Sequence, residues 1–312
     1  MRKPFDPYNW SKTRITTLVD KIQSIKNDGL DVSYGEVWSI KKHLLLDYYV
    51  GAFVRIISSK RFNFKKWYYV DTHCGSGVIG FKEKTLSNER FPGSPLIVAL
   101  RGSEFPFHEY VFSDIEQTSV DTLKRRLKAL EPTIGKLNYS FNIIDFAKTV
   151  ALVETKNQHG NAFLIFVDPT GFTEINWSLM ERLLKIGTAD IIFTFMTYGI
   201  AFNRSKAEGD PVTAQSFNEF FGNDNWKNYS DGGELAELYR KQMAKFKTHT
   251  ALIPVYQTGE RLLYHMIIAT NSRGGANVFD SAKKVMDETT TELFRDALKV
   301  VTGKTKDLTD YF

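Results

Sequence analysis

A run of aromatic and apolar residues, Trp67-Tyr68-Tyr69-Val70, reaches Asp71 and breaks at once into Thr72-His73-Cys74-Gly75-Ser76-Gly77. Such a run fits a strand buried in a parallel sheet. The Gly-x-Gly turn then lets backbone come close to a ligand at the strand's carboxyl end. An acid at that edge can accept hydrogen bonds from a ligand's amine or hydroxyls. The combination suits S-adenosylmethionine (SAM), which has no pyrophosphate to cradle, better than it suits a dinucleotide. The turn also lacks a full Gly-x-Gly-x-x-Gly pattern, which makes a nucleoside-modifying dehydrogenase the more distant reading.

The rest of the chain repeats the theme. A helix is predicted from Glu36 to about Ser58 on Val37, Ile40, Leu44, Tyr48 and Ile57. After the turn, Phe81–Pro92 reads as an inserted loop. Gly93-Ser94-Pro95 then starts a helix, with Ser94 as N-cap and Pro95 at the first helical position. Strands follow at Tyr110–Asp114, Leu137–Ile144, Phe163–Val167 and Ile191–Phe195, separated by helices. The first of these helices carries Val120, Leu123, Leu127 and Leu130 on one face. A helix over about 233–246 and strands Thr250–Tyr256 and Leu262–Thr270 come next. The two late strands are close enough for an antiparallel hairpin, and one long helix is predicted over 277–300.

This order predicts an α/β fold with a doubly wound, Rossmann-like sheet of the class I SAM-methyltransferase kind, mostly parallel and ending in an antiparallel hairpin. The organisation is read as an N-terminal arm (1–35), a SAM-binding core (36–196), an inserted cap or loop of low regularity (197–232), and a C-terminal part (233–312) that completes the sheet and adds the long helix.

Composition narrows the function classes. The chain has 312 residues, 42% of them hydrophobic, and a single cysteine, Cys74. One cysteine excludes an internal disulfide and any multi-cysteine zinc site. No apolar run is long enough for a membrane span and no signal peptide is read at the N-terminus, so a cytoplasmic, membrane-free protein is expected. The net charge of +5 leans toward polyanionic partners. The basic–aromatic stretch Lys60–Trp67 and the cluster Lys124-Arg125-Arg126 are either phosphate contacts or solvated faces. The histidines show no metal-ligand spacing.

Asp71, Asp114, Asp145 and Asp168 each close a parallel strand, at the edge where open α/β sheets bind ligands. Singly, each acid is as well read as a turn or helix cap. Together they fit a SAM site. Asp71, Gly75 and Gly77 shape its methionine side, Asp114 takes the ribose hydroxyls, Asp145 takes the adenine amine, and Asp168 sits by the methyl group. His73 either bonds the ligand carboxylate or is structural, and Cys74 is a small packing residue.

Lys42-His43, Asp71–Gly77 and Pro92-Gly93-Ser94-Pro95-Leu96-Ile97 resemble the RlmJ-type ribosomal RNA adenine-N6 methyltransferases. Over about Lys41 to Asp287 the chain is even more similar to the three-Cys-motif partner proteins (TcmP). The resemblance implies a SAM-methyltransferase fold, with Lys42 near the methyl-transfer centre; the residues alone read Lys42-His43 as a solvated helix face. It also implies a partner protein with a three-cysteine, radical-SAM-like motif. The chain departs from the N6 pattern after the fourth strand. Asp168-Pro169-Thr170-Gly171-Phe172 replaces Asp/Asn-Pro-Pro-Tyr/Phe, so the aromatic that would stack on a base is displaced behind a glycine. Two functions are therefore expected from different classes. One is N-methylation of a nucleic-acid base amine, RNA or DNA, with Asp168, Pro169, Phe172 and Lys42 around the amine. The other is a non-catalytic or SAM-binding partner of the three-cysteine protein.

Overall fold

A computed structural model of the chain describes residues 6–59, 64–102, 106–257 and 261–303. Helix α1 (Pro7–Lys21) opens the chain, with Asp6 as N-cap and Pro7 in the first turn. The expected arm is thus largely helical. Ser11, Ile15, Leu18 and Val19 fall at helical spacing and are buried, a stripe that the polar residues between them concealed.

A short strand β1 (Ser33–Gly35) and helix α2 (Ser39–Ile57) lead to the first central strand, β2 (Lys66–Asp71). Strands β3 (Val78–Phe81) and β4 (Arg90–Pro92) flank a single 3-10 turn at Lys84–Leu86, so the predicted loop is partly structured. β1 pairs in parallel with β3, and β3 runs antiparallel to β4, giving a small separate sheet. The alternation then follows as predicted: α3 (Ser94–Gly102), β5 (Glu109–Asp114), α4 (Gln117–Ile134), β6 (Tyr139–Ile143), α5 (Phe146–Lys156), β7 (Asn161–Val167), α6 (Trp177–Leu184) and β8 (Ala189–Phe195).

Residues 197–232 differ from expectation. They form helices α7 (Thr197–Ala207) and α8 (Pro211–Phe221), where a segment of low regularity was predicted. The Asp and Gly residues that read as loop signals are boundary signals. The Asp210 side chain caps α8, and Gly222 adopts a left-handed φ of 69° at its end. Helix α9 (Gly232–Met243), capped by Asp231, precedes β9 (His249–Tyr256) and β10 (Leu262–Thr270). The long C-terminal helix is in fact two, α10 (Arg273–Asp287) and α11 (Thr291–Val301). Thr290 breaks the run, because its side chain caps α11 by accepting from the Leu293 N–H at 3.2 Å.

The main sheet has the order β6-β5-β2-β7-β8-β10-β9. β10 is antiparallel to both neighbours, β8 and β9, and the other pairs are parallel. This is the predicted doubly wound, Rossmann-like sheet with a terminal hairpin. One face packs against α2, α3, α4 and α10 through residues such as Leu44, Leu96, Leu127 and Phe279. The other packs against α5 to α9 through Val150, Leu183, Phe220 and Tyr239. Strand β7 (Asn161–Val167), with all seven residues buried between the two layers, is a continuous apolar run from Ala162 to Val167.

Candidate cofactor and substrate site

The chain order reverses between β2 and β7, so a crevice opens at their carboxyl ends, the edge at which doubly wound sheets take ligands. The turn after β2 is held from three directions. The Gly75 N–H donates to the Asp114 carboxylate at 2.8 Å, the Cys74 N–H to the Ser113 carbonyl at 2.9 Å, and the Gly93 N–H to the Gly77 carbonyl at 2.8 Å. Gly75 and Gly77 have φ of 57° and 86°, where residues with a Cβ are strained. A Cβ on Gly77 would also lie 2.7 Å from Leu123 Cδ1. Gly77→Ala is expected to destabilise the fold by roughly 1–3 kcal/mol, read as a lower urea midpoint; an unchanged midpoint counts against a fixed turn.

Arg126, read in the sequence as a surface charge, is a correction. Its side chain is wholly buried while Lys124 and Arg125 face solvent. Its guanidinium donates to Asp28 at 2.8 and 3.1 Å, to the Ser76 carbonyl at 2.9 Å and hydroxyl at 3.2 Å, and to the Leu30 carbonyl at 3.3 Å. One side chain thereby ties the Gly-Ser-Gly turn to the N-terminal segment. Lys60–Asn63, part of the other basic stretch, lies outside the described residues.

Asp71 is fully buried and accepts from the Tyr69 hydroxyl at 3.0 Å and the His73 N–H at 3.4 Å. Ser94 stands in the first turn of α3, and its hydroxyl also bonds the Asp71 carboxyl. Burial pushes this carboxyl up to about 7 against those bonds. An acid whose folded pKa lies above its unfolded one ionises more readily when unfolded. Its penalty on stability therefore grows from about pH 4 to about pH 7 and is constant above. The linkage amounts to roughly 4 kcal/mol at 1.36 kcal/mol per pKa unit. Asp71→Asn is expected to flatten this part of the stability–pH curve between pH 4 and 7, measured by urea unfolding. Parallel curves for the two proteins would refute it.

Asp114 spends one oxygen on the turn and the other on the Glu116 N–H at 3.0 Å. Asp145 is exposed and caps α5, accepting from the Lys148 N–H at 2.8 Å. The His73 ring meets the Thr72 hydroxyl at 2.8 Å and Glu174 at 3.4 Å. Burial lowers its pKa, opposed by Glu174 and Asp168. Cys74 is buried, and burial followed by the Asp71 charge raises its thiol well above the usual range, as suits a packing residue.

At the end of β7 the Lys42 ammonium lies 2.6 Å from Asp168. Lys42 is therefore not a solvated residue on a free helix face. Burial acts to raise the Asp168 pKa, but the charge and hydrogen bond of Lys42, joined by the Thr194 hydroxyl, hold it below the ordinary carboxylate range. His43 is buried, with Nδ1 at 2.7 Å from the Ser39 carbonyl. Burial and then the Lys42 charge lower it to about 4, so it is neutral. Pro169 is buried behind Asp168. Phe172 is partly buried, its ring packed edge to face on Phe217 at 4.9 Å and on Phe220 at 5.7 Å.

Glu174 was not singled out in the sequence. Its carboxylate accepts from the Gly171 N–H at 2.8 Å and the Thr170 hydroxyl at 2.5 Å, and so closes the loop after Asp168 onto His73. Only the reverse half of a capping box is present, the Glu174 carboxylate on the Gly171 N–H, because glycine has no side chain to complete it; Gly171-x-x-Glu174 is therefore no sequence signature. Among the described residues no cluster of His, Cys, Asp and Glu is arranged to hold a metal, and no helix is long and apolar enough to cross a membrane.

No protein-family model matches the sequence, and no curated protein matches it. Among solved structures, a Legionella pneumophila protein with the family label DUF519 is similar at a TM-score of 0.53 and 15% identity, over 83% of this chain and 93% of that one. This likeness is one of fold. Weaker likenesses include an O-methyltransferase from Bacillus cereus solved with SAH (TM-score 0.37, 10% identity, 86% of this chain and 93% of that one). Another is Trm1 from Pyrococcus horikoshii, solved with S-adenosyl-L-methionine (0.38, 11%, 84% and 76%). These are too distant to bear on the site.

Proposed function

We propose that the protein is a SAM-dependent methyltransferase whose acceptor is an exocyclic amine of a nucleic-acid base. The observation that carries the reading is Asp168. It is an ionised carboxylate, fixed by Lys42 at 2.6 Å, at the end of the strand next to the positive-φ Gly75–Gly77 turn. In this reading the turn and Ser94 lie on the methionine side of the cofactor, Asp114 faces the ribose, Asp145 the adenine, and His73 the cofactor carboxylate.

Bound there, SAM supplies an electrophilic methyl group on a sulfonium. Asp168 and the Pro169 carbonyl accept the two N–H bonds of the target amine, which turns the nitrogen lone pair toward that methyl. As the amine nitrogen forms the new N–C bond the methyl–sulfur bond would break, its electron pair staying on sulfur to leave S-adenosylhomocysteine. The amine proton passes to solvent, and most of the rate enhancement comes from positioning. Tritiated SAM incubated with total RNA and, separately, total DNA tests the reading. Label in an N-methylated base is the expected result, and no label in either polymer removes the proposal.

A specific observation favours a second reading, a SAM-binding partner without catalysis. The Phe172 ring is engaged by Phe217 and Phe220 and lies behind Gly171, in place of an aromatic free to stack on a base. SAM binding by calorimetry, absence of transfer, and co-purification with a three-cysteine, radical-SAM-like protein would together establish it.

A further inference from the structure

Tyr198 and Phe202 project from α7 into solvent, 47% and 73% exposed. One exposed ring is ordinary on a protein surface. These two share a helix face, because they stand one turn apart, about 6 Å along the axis. The next position on that face is Lys206, whose side chain is 66% exposed and reaches Asp210 at 4.0 Å. At the other end the Arg261 guanidinium lies 5.2 Å from the centre of the Tyr198 ring. The stripe therefore runs Arg261, Tyr198, Phe202, Lys206, and α7 itself carries no acid.

Its place in the fold ties it to Asp168. Helix α7 springs from the carboxyl end of β8, which runs parallel to β7, so it starts at the edge where Asp168 stands. The Thr194 hydroxyl, near the end of β8, bonds the Asp168 carboxylate. Arg261 directly precedes β10, whose Tyr264 ring lies 5.9 Å from the Lys42 ammonium. β8 and β10 thus flank the Lys42–Asp168 pair on the side away from β2, β5 and β6, where the Gly75–Gly77 turn, Asp114 and Asp145 lie. The first turn of α7 is anchored, since the Thr197 hydroxyl meets His265 Nδ1 at 2.7 Å. Gly232 packs so tightly there that a Cβ would lie 2.7 Å from Thr197 Cγ2.

Aromatic faces between cations suit an unpaired nucleic-acid chain, whose bases stack on rings while its phosphates meet the charges. A protein partner would also cover exposed rings. Cations at both ends and an acid-free helix fit a polyanion instead. Phe172, in the loop after Asp168, is engaged by Phe217 and Phe220. The rings of α7 are open to solvent.

We propose that the Arg261–Tyr198–Phe202–Lys206 face binds single-stranded nucleic acid and leads it to Asp168. The inference rests on the methyltransferase reading for its substrate class. It adds that the substrate is unpaired, because a duplex keeps its base faces stacked on one another.

Fluorescence anisotropy with labelled single-stranded RNA and DNA of about 20 nucleotides, and with the duplex of each, tests it. Phe202→Leu keeps an apolar side chain but loses the ring, and is expected to raise the Kd for the single strand at least fivefold. Phe202→Tyr keeps the ring and should stay within twofold of wild type. Both should melt within about 2 °C of wild type, as exposed positions do. Arg261→Gln is expected to make the plot of log Kd against log salt shallower by about 0.7. A wild type that binds neither single strand, a duplex bound as tightly as the single strand, or a Phe202→Leu affinity within twofold of wild type overturns the inference. So does a wild-type dimer in sedimentation that Phe202→Leu dissociates, since the face would then join two copies of the chain. Tritium transfer from SAM reads the methyltransferase proposal separately. Ring-dependent binding without transfer removes that proposal and leaves the binding face; transfer that Phe202→Leu leaves unchanged removes the binding face and leaves the proposal.

Discussion

Asp168→Asn is expected to abolish methyl transfer to within the detection limit while leaving SAM affinity within threefold of wild type. The substitution keeps the shape of the side chain and one accepting oxygen but removes the negative charge. That charge does two things. In the proposed reaction it accepts from the target amine as the nitrogen becomes positive, and in the fold it holds Lys42 at 2.6 Å. Losing one pre-positioned group of this kind costs roughly 10²–10³ in rate. Lys42 also loses its carboxylate at a position where its side chain is only 14% exposed, which adds a stability cost of about 1–3 kcal/mol. Rate and stability separate the two effects: tritium transfer reads the first, urea unfolding the second, and calorimetry confirms that the cofactor half is intact. Transfer within twofold of wild type would remove Asp168 from the reaction. Because Lys42 keeps the Asp168 pKa below the ordinary carboxylate range, the wild-type rate should show no dependence on this group's ionisation across neutral pH.

The strands and the Gly75–Gly77 turn were legible because their signals are local. An apolar run ending in Asp, followed by Gly-Ser-Gly, admits few structures, and four such runs in alternation with helices leave little choice of fold class. What escaped the sequence is whatever depends on long-range partners. Arg126 reads as one of three adjacent basic residues, and only the path of α4 past the β2 turn shows that it points inward. Lys42 finds Asp168 across 126 positions. The helices of residues 197–232 were missed for a different reason. Asp and Gly mark boundaries and loops alike, and the stripe Phe217, Phe220 and Phe221 that identifies α8 is short. The single C-terminal helix was an overreading of continuous periodicity, since a Thr cap can interrupt a run without changing its apolar spacing.

Arg126 offers the sharpest test of how the Gly75–Gly77 turn is built. Its wholly buried guanidinium joins Asp28, Leu30 and both oxygens of Ser76. Deleting one member of a buried ion pair costs about 3–5 kcal/mol, because the other charge is left without compensation. Arg126→Leu is expected to lose that much, a fall in melting temperature of roughly 5–8 °C for a chain of 312 residues. Burial raises the Asp28 pKa and the Arg126 bonds lower it, with a net result below the usual value. The variant should therefore also lose the stabilisation that Asp28 contributes as pH rises through the carboxylate range. Arg126→Lys separates charge from geometry. An ammonium retains the attraction to Asp28 but cannot fork to Ser76 at the same time. Its melting temperature should fall less than that of the leucine variant, while SAM affinity falls about tenfold, the loss of one to two hydrogen bonds' worth of positioning. Thermal unfolding by circular dichroism and SAM calorimetry decide the matter. Melting of the leucine variant within 2 °C of wild type would show that the turn stands without its brace, and unchanged SAM affinity in the lysine variant would show that Ser76 needs no fixing from α4.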